Sequence, residues 1–210
     1  MNIKTRILLA VFFLELFGYG VLLLYNHSNS RETLESIREQ QIQATIKGNF
    51  HRINALTKLM EHKAIELAES GEMLYELSLQ SPLAQFQTIL QGYLESVFME
   101  FPESIGGGLW YEPYLFGKER RLYGPYVFWN SQGVVEFTWD LNTEAYNYPS
   151  QDWYLTALPK GSPRDQKRPS RIYWTPPYWD EAGSKELMMT VDAIMYSKDE
   201  RIIGLRTVSP

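Results

Sequence analysis

The chain begins with an apolar run from Ile7 to Tyr25 that is interrupted by one charge, Glu15. A helix of about 20 apolar residues is long enough to cross a bilayer. At the bilayer centre Glu15 costs roughly 2.5 to 3.5 kcal/mol, whereas the Leu, Ile, Phe and Val residues around it contribute about -6 kcal/mol on the same scale. The net free energy of insertion into the bilayer is therefore favourable, and a transmembrane helix is predicted over residues 7–25.

The length of this run and the residues that flank it indicate whether it is cleaved and how it is oriented in the membrane. The run is longer than the apolar core of a signal peptide, and no A-x-A-like cleavage site follows it, so an uncleaved anchor is favoured. Lys4 and Arg6 precede the run, and few basic residues follow it closely. Because positive residues stay on the cytoplasmic side, residues 1–6 are predicted in the cytoplasm and residues 26–210 outside it.

Residues 26–71 have the pattern of a long amphipathic helix. Apolar residues recur every three or four positions from Ile46 to Leu67, and no proline interrupts the segment. Gly71 supplies a stop signal. We interpret the segment as a stalk. Its first half resembles a generic coiled coil and supports a homodimer, and its second half has a wider apolar face suited to packing on its own domain.

Beyond the stalk the pattern changes to a second helix and then to strands. The helix is predicted from Pro82 to Phe101, because proline suits the first helical turn. The predicted strands cover residues 105–111, 126–130, 134–139, 172–175, 187–196 and 202–208, with a short helix capped by Ser150 at 150–158. Tight turns between the closing strands favour antiparallel pairing, so the fold class is α+β. The run Gly106–Gly108 lacks the Lys and Ser/Thr of a phosphate loop and is interpreted as close backbone packing.

Composition narrows the function. The 14 Tyr and 6 Trp concentrate after residue 108, which suits a ligand pocket as well as a core. A net charge of -5 gives no support to nucleic-acid binding. The absence of Cys excludes disulfides, thiolate metal sites and a Cys nucleophile. All three His precede the aromatic half, so that half cannot build a Ser-His-Asp triad by itself. No cofactor and no metal site are predicted.

Six short segments of the aromatic half carry a family resemblance through their order and spacing. They are 107–113 (GGLWYEP), 123–126 (YGPY), 146–154 (YNYPSQDWY), 174–180 (WTPPYWD), 187–190 (LMMT) and 201–204 (RIIG). Together they resemble the double Cache, or PDC-type, sensor domains of bacterial chemoreceptors, histidine kinases and diguanylate cyclases. The resemblance implies an extracytoplasmic sensor of small molecules at the bacterial inner membrane.

The resemblance also implies a domain organisation. Residues 72–210 would form the membrane-distal, PAS-like antiparallel sheet that binds ligand, below which the family has a membrane-proximal subdomain. Pro210 falls where the last strand of the distal subdomain would end. The proximal subdomain, a second span and an output module are not among these 210 residues. The chain is therefore interpreted as the N-terminal piece of a longer receptor or, alternatively, as a truncated gene product.

In the amino-acid-binding branch of this family, a set of aromatic and charged residues holds the ligand. The matching positions in this chain are Tyr146, Gln151, Trp153, Tyr154, Tyr178 and Asp180. Gln151 stands where that branch has an arginine, and Ser209 lies near the position of its last aspartate. Arginine binds a carboxylate in bidentate fashion, and glutamine has no charge to replace it. The resemblance thus supports a neutral polar, sugar-like or other small organic ligand as well as an amino acid.

The chemistry of the residues also indicates a pocket in these segments, although each residue has an alternative structural role. Trp153 fits a pocket or a core equally, whereas the hydroxyls of Tyr154 and Tyr178 favour a pocket because a phenol needs a hydrogen-bond partner. Asp180 fits either a pocket or a turn. Period-two alternation places Asp192 on the face opposite Val191, and we interpret it as a residue of the wetter face, with a pocket role as the alternative.

Three classes of function follow, one of which is a purely structural stalk protein. The preferred one is a non-enzymatic sensor domain whose partners are a small organic ligand, the membrane and a second copy of the chain. The alternative is a membrane-tethered protein that binds or hydrolyses glycans, with carboxylates drawn from Glu112, Asp140 and Asp180. No spacing in the sequence favours such a carboxylate pair.

Overall fold

The computed structural model describes residues 2–180 and 185–210. The chain divides into two compact units, Met1–Ala55 and Leu56–Pro210. Helix α1, Ile3–Ser78, contributes to both units. In the first unit α1 contains a stretch that is long and apolar enough to span a membrane, with none of it buried inside the protein. An unburied helix that is apolar all round requires an apolar environment, which agrees with the predicted span over residues 7–25.

The second unit is an α+β domain. After the end of α1 its elements are α2 (Leu83–Met99), β1 (Gly106–Tyr111), β2 (Tyr126–Trp129), β3 (Val135–Thr138), a 3₁₀ helix (Tyr148–Ser150), α3 (Asp152–Ala157), β4 (Ile172–Trp174), β5 (Tyr178–Trp179), β6 (Leu187–Met188), β7 (Val191–Tyr196) and β8 (Ile202–Ser209). Six strands form one antiparallel sheet in the order β3-β2-β1-β8-β7-β4, and β5 pairs with β6 apart from it. The predicted class is confirmed.

The closing strand β8 lies at the centre of the sheet rather than at its edge. It pairs with β1 from Gly106↔Ser209 to Tyr111↔Gly204, and on its other side with β7. All eight of its residues are buried, as expected for a strand covered on both faces. A Cβ on Gly107 would lie 2.2 Å from the carbonyl oxygen of Thr207 and would force the strands apart. The glycine run therefore serves close packing, as predicted.

One face of the sheet packs on the helices. This helix-side core joins α1 and α2 to inward side chains of β1, β7 and β8, among them Met60, Leu67, Leu74, Phe86, Leu90, Phe98, Leu109, Val191, Met195 and Val208. The opposite face carries a second, largely aromatic group, the cavity-side core: Trp110, Tyr126, Tyr148, Trp153, Tyr154, Ile194 and Leu205. Alternate residues of β7 thus enter different cores, in agreement with the period-two pattern.

The stalk helix does not end at Gly71, and this boundary is corrected. Helix α1 continues to Ser78, because Gly71 serves packing instead of termination. A Cβ at this position would lie 2.5 Å from Met195 Sδ and 2.9 Å from Leu109 Cδ2. The Gly71 carbonyl also accepts a hydrogen bond from the Tyr111 hydroxyl at 3.1 Å. The missing side chain lets the helix lie directly on the sheet.

Two further local predictions are corrected. The strand predicted over residues 187–196 is split into β6 and β7, because β6 pairs with β5 and leaves the main sheet. Ser150 belongs to the 3₁₀ helix and does not cap α3, whose N-cap position is Gln151 without a side-chain capping bond.

Candidate functional site

Two adjoining cavities lie on the sheet face opposite α1 and α2. Cavity A, about 530 Å³, is lined by Asp140, Leu141, Thr143, Ala145, Tyr146, Gln151, Trp153, Tyr178, Trp179 and Asp180. Cavity B, about 610 Å³, is lined by Gln151, Asp152, Trp153, Leu155, Thr156, Thr175, Pro176, Pro177, Tyr178 and Trp179. Such volumes suit small organic ligands. Five of the seven residues named from the sequence, Tyr146, Gln151, Trp153, Tyr178 and Asp180, line one or both cavities.

The wall between β3 and α3 is held by side chains that bond the backbone. The Asn142 side chain accepts from the N–H of Gly124 and donates to its carbonyl, which fixes the loop that carries Leu141. Tyr148 turns inward, where its hydroxyl donates to the carbonyl of Tyr111 and accepts the N–H of Tyr123. This burial of Tyr148 leaves its neighbours free to line the cavity, a role that the sequence alone did not indicate.

Tyr146, Gln151 and Trp153 form one connected wall. The Gln151 amide donates to the Tyr146 carbonyl at 2.5 Å, and the Trp153 side chain hydrogen-bonds the Tyr146 hydroxyl. Burial raises the pKa of Tyr146 to about 12. Trp153 also packs on Trp110 with ring centroids 5.0 Å apart, so it belongs to the cavity wall and to the core at once. Both interpretations of Trp153 hold.

Tyr178 begins a chain of hydroxyls that leads to the end of β8. Its hydroxyl lies 2.6 Å from Thr190 Oγ1, which lies 3.2 Å from Ser209 Oγ. Burial raises the pKa of Tyr178, and the carboxylates of Asp192 and Asp180 add to the effect. Ser209 therefore lines the site with a neutral hydroxyl where the resemblance placed an acid.

Asp180 lies at the end of the β5 segment with 7% of its surface exposed. Its carboxylate hydrogen-bonds the Tyr126 hydroxyl, and burial, with a smaller contribution from Asp180, raises the pKa of Tyr126. A small recess between cavity A and the sheet is lined by both residues together with Thr207 and Ser209. Asp180 is thus a buried pocket group, although its position at a turn made the turn interpretation equally possible.

Asp192 does not lie on a wetter face, and that interpretation is corrected. The residue is fully buried, because β7 lies inside the sheet and α3 packs over β4 and β7. It pairs with Thr207 on β8 and Tyr173 on β4, which places it on the cavity side of the sheet. Neither carboxylate oxygen has a hydrogen-bond partner among the described residues. Burial raises its pKa, and the positive charge of Arg206 only partly opposes this.

Tyr154 is placed away from both cavities. Its hydroxyl donates to Glu112 Oε1 at 2.6 Å, and Arg164 Nε donates to the same oxygen at 3.1 Å. Its ring packs on Tyr148. The phenol does have a partner, as expected, but that partner is the partly buried Glu112, which lines neither cavity. Glu112 is bonded within this cluster and does not line cavity A, so of the three carboxylates named for a glycosidase pair Asp140 and Asp180 share a cavity and Glu112 does not.

Other residues in and around the cavities were not among the site residues predicted from the sequence. Trp179 is 57% exposed and lines both cavities, while Tyr126 and Thr190 bond Asp180 and Tyr178 respectively. Trp179 lies between two predicted site residues, which is a usable signal. The role of Thr190 depends on the strand break that the sequence did not reveal. Among the described residues, no group of three or more His, Asp or Glu side chains could hold a metal ion.

The second unit packs one face of its sheet on helices and carries aromatic-lined cavities on the other, an arrangement suited to binding a small ligand. The model of the family "Methyl-accepting chemotaxis protein-like, first PDC sensor domain" matches residues 90–209, more than half of the chain. The chain therefore belongs to this family, and the resemblance to PDC-type sensors is confirmed. No curated protein matches the sequence.

Two of the solved structures, with TM-scores above 0.5, show the same fold at low identity, and a third is a weaker match. The extracellular domain of histidine kinase soHK1S-Z6 matches with 19% identity and a TM-score of 0.56, covering 75% of this chain and 54% of that one. That of histidine kinase mmHK1S-Z2 matches with 20% identity and a TM-score of 0.51, covering 75% and 54%. The ligand-binding domain of the Pseudomonas aeruginosa PAO1 amino acid chemoreceptor PctC, in complex with GABA, has 17% identity, a TM-score of 0.43 and coverages of 75% and 56%. The chain spans about half the length of these structures.

Proposed function

We propose that the second unit senses a small organic molecule outside the cytoplasm for a membrane-anchored bacterial receptor. In this proposal residues 1–6 are cytoplasmic, the span over 7–25 anchors the chain, and residues 26–210 are periplasmic. The observation that carries it is the pair of cavities A and B, which lie within the family-matched segment 90–209. Signalling output, whether kinase, cyclase or chemotaxis module, is proposed to belong to the rest of the receptor.

The ligand is proposed to contact Tyr146, Gln151, Trp153, Tyr178 and Asp180. These side chains combine aromatic faces with a few placed polar groups, the usual composition of a ligand site. Tyr154 and Asp192 are proposed to act from behind this wall: Tyr154 orients α3 through its bond to Glu112, and Asp192 acts through its charge.

A route for the signal leads from the cavity to α1 within the second unit. The segment that ends at Tyr178 and Asp180 begins at Arg171, which donates to Glu72 at 2.8 Å and to Glu69 at 3.3 Å. A ligand that shifts β5 is proposed to move this segment against α1. The shift can be no larger than the ligand's differential affinity for the two arrangements allows.

A homodimer through the stalk is proposed from the exposed apolar residues of α1. The exposed fractions of three of them are 58% for Ile46, 66% for Phe50 and 66% for Ile53. Their spacing of four and three places them on one helix face. Because the chain has no Cys, Ile46→Cys gives a single thiol whose oxidation reports on proximity. Rapid disulfide crosslinking at residue 46, with Lys47→Cys as the control on another face, would support the dimer, and equal crosslinking at both positions would count against it.

The sensing proposal is tested by thermal denaturation of the full chain in nanodiscs. The panel contains amino acids, amines, organic acids and sugars. We expect a saturable rise in Tm with one chemical class and no conversion of the compound. Ala145→Trp should block cavity A and abolish the shift, because Ala145 is an exposed lining residue, whereas Lys160→Trp, on an exposed loop outside both cavities, should preserve it. A panel that produces no shift, or a shift that survives Ala145→Trp, would contradict the proposal.

A further inference from the structure

The side chains that line the two cavities are mainly acidic, aromatic or uncharged. Asp140 and Asp180 line cavity A, and Asp152 lines cavity B. None of the described residues that line either cavity is Lys or Arg. A bound carboxylate or phosphate would therefore meet negative charge without a compensating cation. A ligand with a positive group would meet the opposite situation.

The aromatic walls point in the same direction. Tyr146, Trp153, Tyr178 and Trp179 all border cavity A. The face of an aromatic ring carries partial negative charge and attracts ammonium groups, most strongly for Trp. Gln151, which borders both cavities, donates an amide N–H to the Tyr146 carbonyl and carries no charge.

Asp192 supplies an independent observation. Its carboxyl group is fully buried on the cavity side of the sheet, and both oxygens lack a hydrogen-bond partner among the described residues. A buried polar group without a hydrogen-bond partner is costly, and the positive charge of Arg206 opposes only part of the effect of burial on the Asp192 carboxyl group. A further cation in the adjoining cavity would therefore stabilise the ionised carboxylate. The carboxylate is close enough to Tyr178, which borders both cavities, to raise the pKa of that phenol.

We propose that cavities A and B take a compact organic ammonium ion without a carboxylate, with Asp180 as its counter-charge and Asp192 as a second acid behind the wall. This rests on the proposed sensing function and adds the ligand class to it. Asp180 accepts from the Tyr126 hydroxyl, and a carboxylate has further acceptor positions for an ammonium N–H. The rings of Trp153 and Trp179 would receive the apolar part of the ligand.

Proton release should accompany binding. Burial raises the pKa of Asp192 in the empty domain, and Arg206 opposes only part of the rise; a cation in the cavity would lower that pKa by favouring the ionised form. Affinity for the amine should therefore rise with pH as Asp192 loses its proton. The titratable and charged groups on the elements around it are Arg206 on β8, Tyr173 on β4, Tyr178 on β5, and Asp152 and Tyr154 on α3.

Matched probes test the ligand class directly. Full-length chain in phosphatidylcholine nanodiscs is titrated by calorimetry with choline, its neutral isostere 3,3-dimethyl-1-butanol and its carboxylated analogue glycine betaine. A second set is putrescine, 1,4-butanediol and 4-aminobutyrate, and empty nanodiscs provide the background. We expect the amine of at least one set to bind ten-fold or more tightly than both analogues. Equal or tighter binding of the neutral or carboxylated members, or binding of no amine, overturns the inference.

Variants test the two acids. Asp180→Asn keeps an acceptor for Tyr126 and should weaken amine binding ten-fold or more. Asp192→Asn should remove the proton release, measured as the dependence of binding enthalpy on buffer ionisation, and weaken binding several-fold. Asp165→Asn, on an exposed loop, should change neither. Unchanged binding in both cavity variants would sink the inference. A sugar that raises Tm while no amine binds would leave the sensing function standing, and only a panel without any response would remove both.

Discussion

The indole N–H of Trp174 donates to Oε1 of Glu61 across 2.9 Å. This bond joins the edge strand β4 to helix α1, four residues before the chain reaches Tyr178 in the cavity wall. It is one of several polar contacts along the same helix face, which also include Arg171 to Glu72 and the Tyr196 N–H to Glu72 at 2.7 Å. The cavity segment and the helix are therefore fixed to each other by directional bonds as well as by apolar packing.

Trp174→Phe should lower the free energy of unfolding by about 1 kcal/mol more than Trp129→Phe, because only the first change breaks a hydrogen bond. The Trp129 indole nitrogen has no partner among the described residues, so its variant controls for the smaller ring. Urea titration of the full chain in micelles, followed by circular dichroism, measures both. Equal losses would show that the bond to Glu61 does not contribute.

Gly71→Ala should destabilise the domain by about 1 to 3 kcal/mol, since a Cβ would overlap Met195 and Leu109 in a close-packed core. Gly92→Ala is the matched helical control, because nothing lies within 4 Å of a Cβ there. Its expected effect is a gain of up to about 1 kcal/mol, from the better helix propensity of Ala. The same urea titration checks the pair, and two gains would mean that α1 packs less tightly on the sheet than described.

Asp192 should make the domain less stable as pH rises. Burial raises its pKa in the folded state well above the ordinary value of 3.8, so the folded state binds more protons than the unfolded state between the two pKa values. Stability must then fall with increasing pH from about 4 up to the folded pKa. Asp192→Asn should flatten this slope, and Asp165→Asn, at an exposed position, should retain it. Urea midpoints from pH 4 to 8 decide the matter, and identical slopes in the two variants would refute the assignment.

Tyr154→Phe and Tyr178→Phe should separate stability from binding. The first breaks a hydrogen bond to the Glu112 carboxylate and should cost about 1.5 to 3 kcal/mol of stability, with a smaller loss of ligand affinity than Tyr178→Phe because Tyr154 lines neither cavity. Tyr178→Phe removes a hydroxyl from both cavity walls and should weaken binding, at a smaller cost in stability because Thr190 keeps Ser209 as a partner. Denaturation and ligand titration of the same preparations measure both quantities. Reversed effects would exchange the roles assigned to the two residues.

Helix and strand positions followed from the sequence because they depend on local periodicity. The apolar run 7–25, the heptad-like spacing after Ile46 and the alternation along residues 191–196 each reflect the repeat of one element. The apolar run, the long helix and the α+β class were accessible for that reason, and the family resemblance was accessible through the order and spacing of short segments. Five of the seven predicted site residues line a cavity, because they lie in two short aromatic segments, 146–154 and 174–180.

Tertiary structure alone decided what each of these residues touches. Gly71 has the identity of a helix stop but lies where α1 presses on Met195, and no local signal distinguishes the two roles. Tyr154 and Tyr178 are equally suited to a pocket by chemistry, yet one meets Glu112 and the other lines the cavity. The burial of Asp192 depends on α3, which is distant from it in the chain. Packing between remote segments sets these environments, and residue type and spacing within one element carry no record of it.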